Sequence, residues 1–370
     1  MDKHLYCCQN TAQNYLDHII PVPDDFKVDS DCLRGINKKN FIEGLKGLTV
    51  IIKEMYSDMI LNPEEYGLPL VEDIEYTPFN PKAAESKKSA ARLIVTLKAL
   101  VQCGELSNGE IIVNKKLFSE ICKNKEYKVS NSAMIFKKLS DFGFAIGGFN
   151  GKSFDKKSDI FSISYIDDNC ITSVLYGFLK DKPLKDPLLS LNYYWAIKLE
   201  ERPANNHQMI FAEYLSGDER EFYKRFDDCM ESEGFVTGSA ADYRYFSIEY
   251  VIDTKNEKRI ARCHSDYGKL QIHLQLHKSD NYVEYIENLP ERIKQMFRKE
   301  STCRSCRDNC WLPFHRTFEG VAYTDCGYGN YFDIPCFEPH DIEYYCQIIL
   351  NEVKVQKSKK GKIRKRFCDY

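Results

Sequence analysis

The feature that most constrains this chain is a run of thiols, Cys303-Arg-Ser-Cys306-Arg-Asp-Asn-Cys310, with Cys326 following after fifteen intervening residues. A tetrahedral metal needs ligands that converge from a short turn and from a second segment folded back onto it, and thiolate sulfur suits Zn²⁺. Gly327 and Gly329 let the backbone after Cys326 turn tightly. The spacing therefore predicts a structural zinc site of Cys303, Cys306, Cys310 and Cys326, with His315 and Cys336 as reserve ligands. An iron–sulfur cluster, or reduced thiols with no metal, are the competing readings of the same residues. A four-thiolate zinc has no open position for water, so it would staple the fold and take no part in catalysis.

At 370 residues the chain exceeds the size at which one core keeps growing, so two or three domains are expected. No apolar run approaches the eighteen or so residues of a membrane span, and the first residues lack the apolar core of a leader. The expectation is a cytoplasmic protein with no membrane partner, whose fifteen cysteines are reduced and not a disulfide framework. Cys103, Cys122, Cys170 and Cys263 sit among apolar residues and read as small core side chains.

Charge is distributed unevenly. Residues 86–166 carry 14 Lys/Arg against 7 Asp/Glu, and residues 354–366 carry 8 basic residues and no acid, which leaves −18 on the rest of a chain of net charge −3. Positive charge gathered in two places on an acidic protein points to an anionic partner.

Residues 1–85 read as a helical N-terminal extension and linker. Its one strong helix, around Phe41–Met59, suits packing or dimerisation, and a homodimer is one partner this reading allows. In 86–166 a first helix from Ser86 to about Cys103 ends at Gly104 and the Ser107-Asn108-Gly109 turn. A short strand over 110–113 follows, and Asn114 caps a second helix over 115–123. Ser130 opens a third helix with a buried stripe of Ala133, Phe136 and Leu139, and a hairpin turns at Asn150-Gly151 before a strand over 159–166. This order resembles winged-helix DNA-binding domains, at the level of the fold and over about eighty residues. The resemblance implies a third helix in the major groove of double-stranded DNA, with Asn131, Met134, Lys137 and Lys138 facing it, and Lys152, Lys156 and Lys157 on the hairpin neutralising phosphates. The third helix holds no arginine, the usual reader of guanine, so phosphate contact is better founded than base readout.

Residues 167–235 read as a helical linker region, with a short amphipathic helix over 171–179 and a charged one over 218–233, while 209–215 is helix or strand. From Tyr243 the period changes to two, which predicts an antiparallel meander. In its last strand His273 and His277 share the polar face, as surface residues in the plainer reading. Residues 236–353 thus form a zinc-stapled α+β domain and 354–370 a basic tail, and the whole chain reads as α+β. The function expected is DNA binding, as a transcriptional regulator or accessory factor. A protein or RNA interaction scaffold is the second reading, and an enzyme acting on a nucleic acid or small molecule, with its pocket in the C-terminal domain, the third.

Overall fold

A computed structural model describes residues 5–73, 80–123, 132–166, 169–180, 192–198, 206–241, 246–253, 258–266, 269–299, 313–326 and 331–357. The chain is α+β with antiparallel sheets. It divides into two compact units: residues 1–206 with 241–244, and residues 207–240 with 245–370.

The first unit opens with α1 (Cys7–Asp17), α2 (Ser30–Leu33) and α3 (Lys38–Leu61). The sequence does not announce α1, because Asn10, Thr11 and Asn14 lie on its buried side beside Cys7, Cys8 and Tyr15. Two of those polar groups find partners inside the fold: Asn10 donates to Asp73 at 2.7 Å and Thr11 to the Cys7 carbonyl at 3.0 Å. Asn37 caps α3, and Phe41, Leu45, Leu48, Ile52, Met55 and Met59 are buried within the unit, so α3 is a packing element.

The helix expected from Ser86 is in fact two, α4 (Pro81–Ser89) and α5 (Arg92–Cys103). Pro81 takes a first-turn position where its missing N–H costs nothing, and the Asn80 side chain caps the Lys82 and Ala83 amides. Serine then interrupts the ladder, Ser89 donating to the Ser86 carbonyl at 2.5 Å and Ser86 to the Pro69 carbonyl at 2.6 Å.

Next come β1 (Gly104–Ser107), β2 (Glu110–Asn114), α6 (Lys115–Lys123), α7 (Ser132–Asp141), β3 (Phe144–Gly147), β4 (Ile160–Tyr165) and α8 (Asn169–Leu179). The four strands pair in the order β1-β2-β4-β3. The Asn108-Gly109 turn, both residues at positive φ, closes the β1–β2 hairpin and so does more than end a helix. Helix α8 is buried on nearly every side and is not amphipathic. Gly177 permits this, since a Cβ there would lie 1.9 Å from the Cys32 carbonyl oxygen of α2.

The second unit holds α9 (Asn206–Glu213), α10 (Gly217–Ser232), β5 (Val236–Ala241), β6 (Phe246–Asp253), β7 (Lys258–Asp266), β8 (Lys269–Gln275), α11 (Val283–Glu287), α12 (Glu291–Lys294), β9 (Pro313–Phe318), β10 (Val321–Cys326), β11 (Tyr331–Asp333) and α13 (Ile342–Lys357). The segment left open at 209–215 is thus mostly helix. The meander is a five-stranded sheet in the order β11-β8-β7-β6-β5, and β9 and β10 form a separate hairpin. Strict alternation buries Leu270, Ile272 and Leu274 of β8 on the core face. Phe222 and Phe226 of α10 are buried too, and the Phe226 ring meets Tyr250 of β6 edge-on at 5.6 Å. The sulfur atoms of Cys229 of α10 and Cys346 of α13 are in contact.

Candidate nucleic-acid interface

The segment from α5 to β4 is organised around phenylalanine. The Phe136 ring of α7 lies 5.7 Å from Phe118 of α6, 5.7 Å from Phe161 of β4, and 5.8 and 5.0 Å from Phe149 and Phe154 of the loop joining β3 to β4. Phe149 and Phe154 also pair as an isolated bridge across that loop. Large rings packed edge to face contribute roughly 1 kcal/mol per pair beyond the area they bury. The loop is thereby anchored to α7, although its tip reaches into solvent.

Polar contacts set the rest of the loop. The Asn150 carboxamide accepts from the Lys152 and Ser153 amides at 3.0 and 2.9 Å, and Asp155 accepts from the Lys157 amide at 2.9 Å. Lys115, at the start of α6, donates to the carbonyls of Asp155 and Ser158 at 2.5 and 2.6 Å, with its ammonium 5.8 Å from the Phe154 ring centre. Lys115 therefore positions the loop, a role that counting charge along the sequence does not distinguish from solvent exposure.

On this frame Lys152, Lys156 and Lys157 are exposed, as are Met134 and Lys137 on the outer side of α7. Asn131 lies outside the described residues. Lys138 does not face outward, as the resemblance implied. It is 6% exposed, and its ammonium pairs with Asp58 of α3 at 2.7 Å and with Glu65 in the short 3₁₀ turn Pro63–Tyr66. It also lies 5.1 Å from the Tyr66 ring centre. Burial alone would push the Asp58 carboxyl up, but hydrogen bonds from Lys138, Asn62 and Tyr66 outweigh it and hold the group below the usual range. The buried stripe of α7 is accordingly Ile135, Phe136, Lys138 and Leu139, with Ala133 only half-buried.

Of the predicted zinc ligands, Cys303, Cys306 and Cys310 lie outside the described residues. Cys326 ends β10, where the register sets it opposite Pro313. The reserve ligands have other partners: His315 Nδ1 is 3.2 Å from Thr324 Oγ1, and the Cys336 thiol donates to Asp341 at 3.4 Å. Among the described residues, no group of three or more His, Cys, Asp or Glu side chains is placed to hold a metal.

The second unit presents a polar row that the sequence did not disclose. Cross-strand register aligns Glu249 of β6 with Arg262 of β7, Arg262 with His273 of β8, and His273 with Asp333 of β11. Glu249 binds both Arg259, at 3.1 Å, and Arg262, at 3.5 Å. Arg259 donates to the Tyr331 hydroxyl at 3.3 Å, and His273 Nδ1 is hydrogen-bonded to Asp333. The His264 and His273 rings stack at 4.6 Å and 23°, and Tyr331 meets His273 at 5.8 Å. Burial, with help from His273 and Arg262, pushes the His264 imidazole down to about 3. His273 and His277 were expected to share one strand, but β8 ends at Gln275 and the His277 amide donates to Glu352 at 3.0 Å.

No family model matches the chain, and no curated protein or solved structure matches it. No described helix is long and apolar enough to cross a membrane.

Proposed function

We propose that the chain binds double-stranded DNA as a transcriptional regulator or accessory factor, with α7 in the major groove and the β3–β4 loop against the flanking backbone. The supporting observation is the loop itself: Lys152, Lys156 and Lys157 are exposed on a backbone that Asn150, Asp155, Lys115 and the phenylalanine cluster hold in place. Cations on a pre-set loop meet phosphates without first losing chain entropy. Lys137 and Met134 are the described α7 residues of the interface, and Lys138 is withdrawn from it. Structural zinc held by Cys303, Cys306, Cys310 and Cys326 belongs to the same proposal and is supported by ligand spacing.

A salt titration against mixed duplex DNA tests the reading. Each phosphate neutralised contributes about 0.9 to the slope of log affinity against log salt, so alanine at the three loop lysines should flatten that slope by about three units. Affinity at low salt should fall on the order of 100-fold. Deleting 354–370 beforehand removes the contribution of the tail. If the deletion abolishes binding and the loop lysines do nothing, the proposal fails. Elemental analysis should return one zinc per chain and no iron, and stoichiometric iron would overturn the metal assignment.

A protein-interaction role is the second reading. It is favoured by apolar exposure on the same segment, with Leu117, Ile160 and Ile166 respectively 49%, 50% and 67% exposed.

A further inference from the structure

The five-stranded sheet buries one face and leaves the other polar. Ile248, Tyr250, Ile272 and Leu274 are buried on the core side. The opposite face carries Arg259, Arg262, His264, Gln271, His273 and Tyr331, brought together from three adjacent strands by the register. Two features separate this face from an ordinary solvated one. First, it is ring-rich, with an imidazole pair stacked at 4.6 Å and a tyrosine beside it. Second, its flat groups are held in place, since Glu249 fixes both guanidinium groups and Asp333 fixes the His273 ring. Lys269, exposed at the start of β8, stands opposite Asp266 of β7 in the register, so three cations and three carboxylates share the face.

We propose that this face binds single-stranded nucleic acid, with unpaired bases stacking on His273, Tyr331 and the arginine planes. The chemistry fits in three ways. Bases that are not paired expose π-faces, which imidazole, phenol and guanidinium planes all accept. Gln271 offers both donor and acceptor to a base edge, and Arg259, Arg262 and Lys269 complement the phosphates. An antiparallel sheet places alternate residues along each strand on the same side, a repeat that lets successive nucleotides lie across it. A duplex hides its base faces and has no such fit here, so this surface is distinct from the α7 and loop interface and does not depend on it.

The test is fluorescence anisotropy of the full chain with a labelled oligo(dT), and with a duplex of equal length, over a range of salt. Wild type should bind both. Because the carboxylates balance the cations, oligo(dT) binding should fall less steeply with salt than duplex binding. His273→Ala and Tyr331→Ala should each weaken oligo(dT) binding roughly ten-fold or more, in line with the loss of one stacked base. His273→Phe, which keeps a ring and loses the Asp333 contact, should restore most of it. Duplex binding should be unchanged in all three variants, which also serves as the check that the chain is folded. The loop lysine variant should show the reverse pattern. The proposal is overturned if wild type does not bind oligo(dT). It is also overturned if the loop lysines or residues 354–370 account for all of that binding, or if His273→Phe is as weak as His273→Ala.

Discussion

The β3–β4 loop of the first unit and the polar sheet face of the second handle charge in opposite ways. On the loop, Lys152, Lys156 and Lys157 project from a backbone fixed by apolar rings and main-chain bonds, and no ion pair of theirs is formed among the described residues. On the sheet face, Arg259 and Arg262 share Glu249, and His273 is tied to Asp333, so the charges themselves build the surface. A free ammonium attracts an anion over a Debye length and loses that attraction as salt rises. A charge already paired contributes shape and orientation and responds little to salt. Regions of one chain with similar numbers of basic residues are therefore suited to different binding partners.

Three predictions sharpen or break this comparison. The largest effect concerns how the two units respond to pH. In the second unit burial raises the Asp227 carboxyl to about 7, the 2.6 Å hydrogen bond from Tyr250 opposing this only in part. A raised carboxyl binds its proton more tightly in the folded state. Its contribution is thus complete below about pH 4 and is lost as the pH rises to 7, a change of about 4 kcal/mol. In the first unit burial pushes His18 down to about 4, so the unfolded chain takes up the proton first. Stability is then full above about pH 6.5 and falls by about 3 kcal/mol as the pH drops to 4. Asp227→Asn should remove the alkaline loss, and His18→Gln should shrink the acid loss, both read by urea denaturation across pH. His264 of the second unit adds a further acid limb, since burial depresses its pKa to about 3. If each substitution left the pH profile as in wild type, the burial assigned to these groups would be wrong.

Next in size is Lys138→Ala. It strips two carboxylates of their cation in a partly enclosed site and should cost about 2 kcal/mol, less than a fully buried pair because Glu65 remains exposed. The salt slope of duplex binding should stay the same. A changed slope with unchanged melting would put Lys138 back at the interface. The smallest effect is Lys137→Ala, which should leave the melting temperature within about a degree and lower the slope by about one unit.

Those neighbouring lysines show where reading the sequence stops. Period and capping chemistry identified α3, α6, α7, α10 and the strands β6 to β8, because hydrophobic spacing and the Asn114 cap are local signals that need no partner. The Asn108-Gly109 pair also carries a local hairpin signal for β1 and β2, beyond its role in ending α5. Helix α1 was illegible, since its buried face is made of groups whose partners lie up to 65 residues away. The row Glu249–Arg262–His273–Asp333 was equally illegible, because cross-strand register alone aligns residues separated by up to 84 positions. Hydrophobic period and the distribution of charge along the chain determined that this is an α+β protein with its positive charge in two blocks. Which of those charges is offered to a partner was decided only by tertiary structure. A lysine beside Asp58 and Glu65 becomes part of the core, and the next lysine on the same helix, about 100° around, meets water.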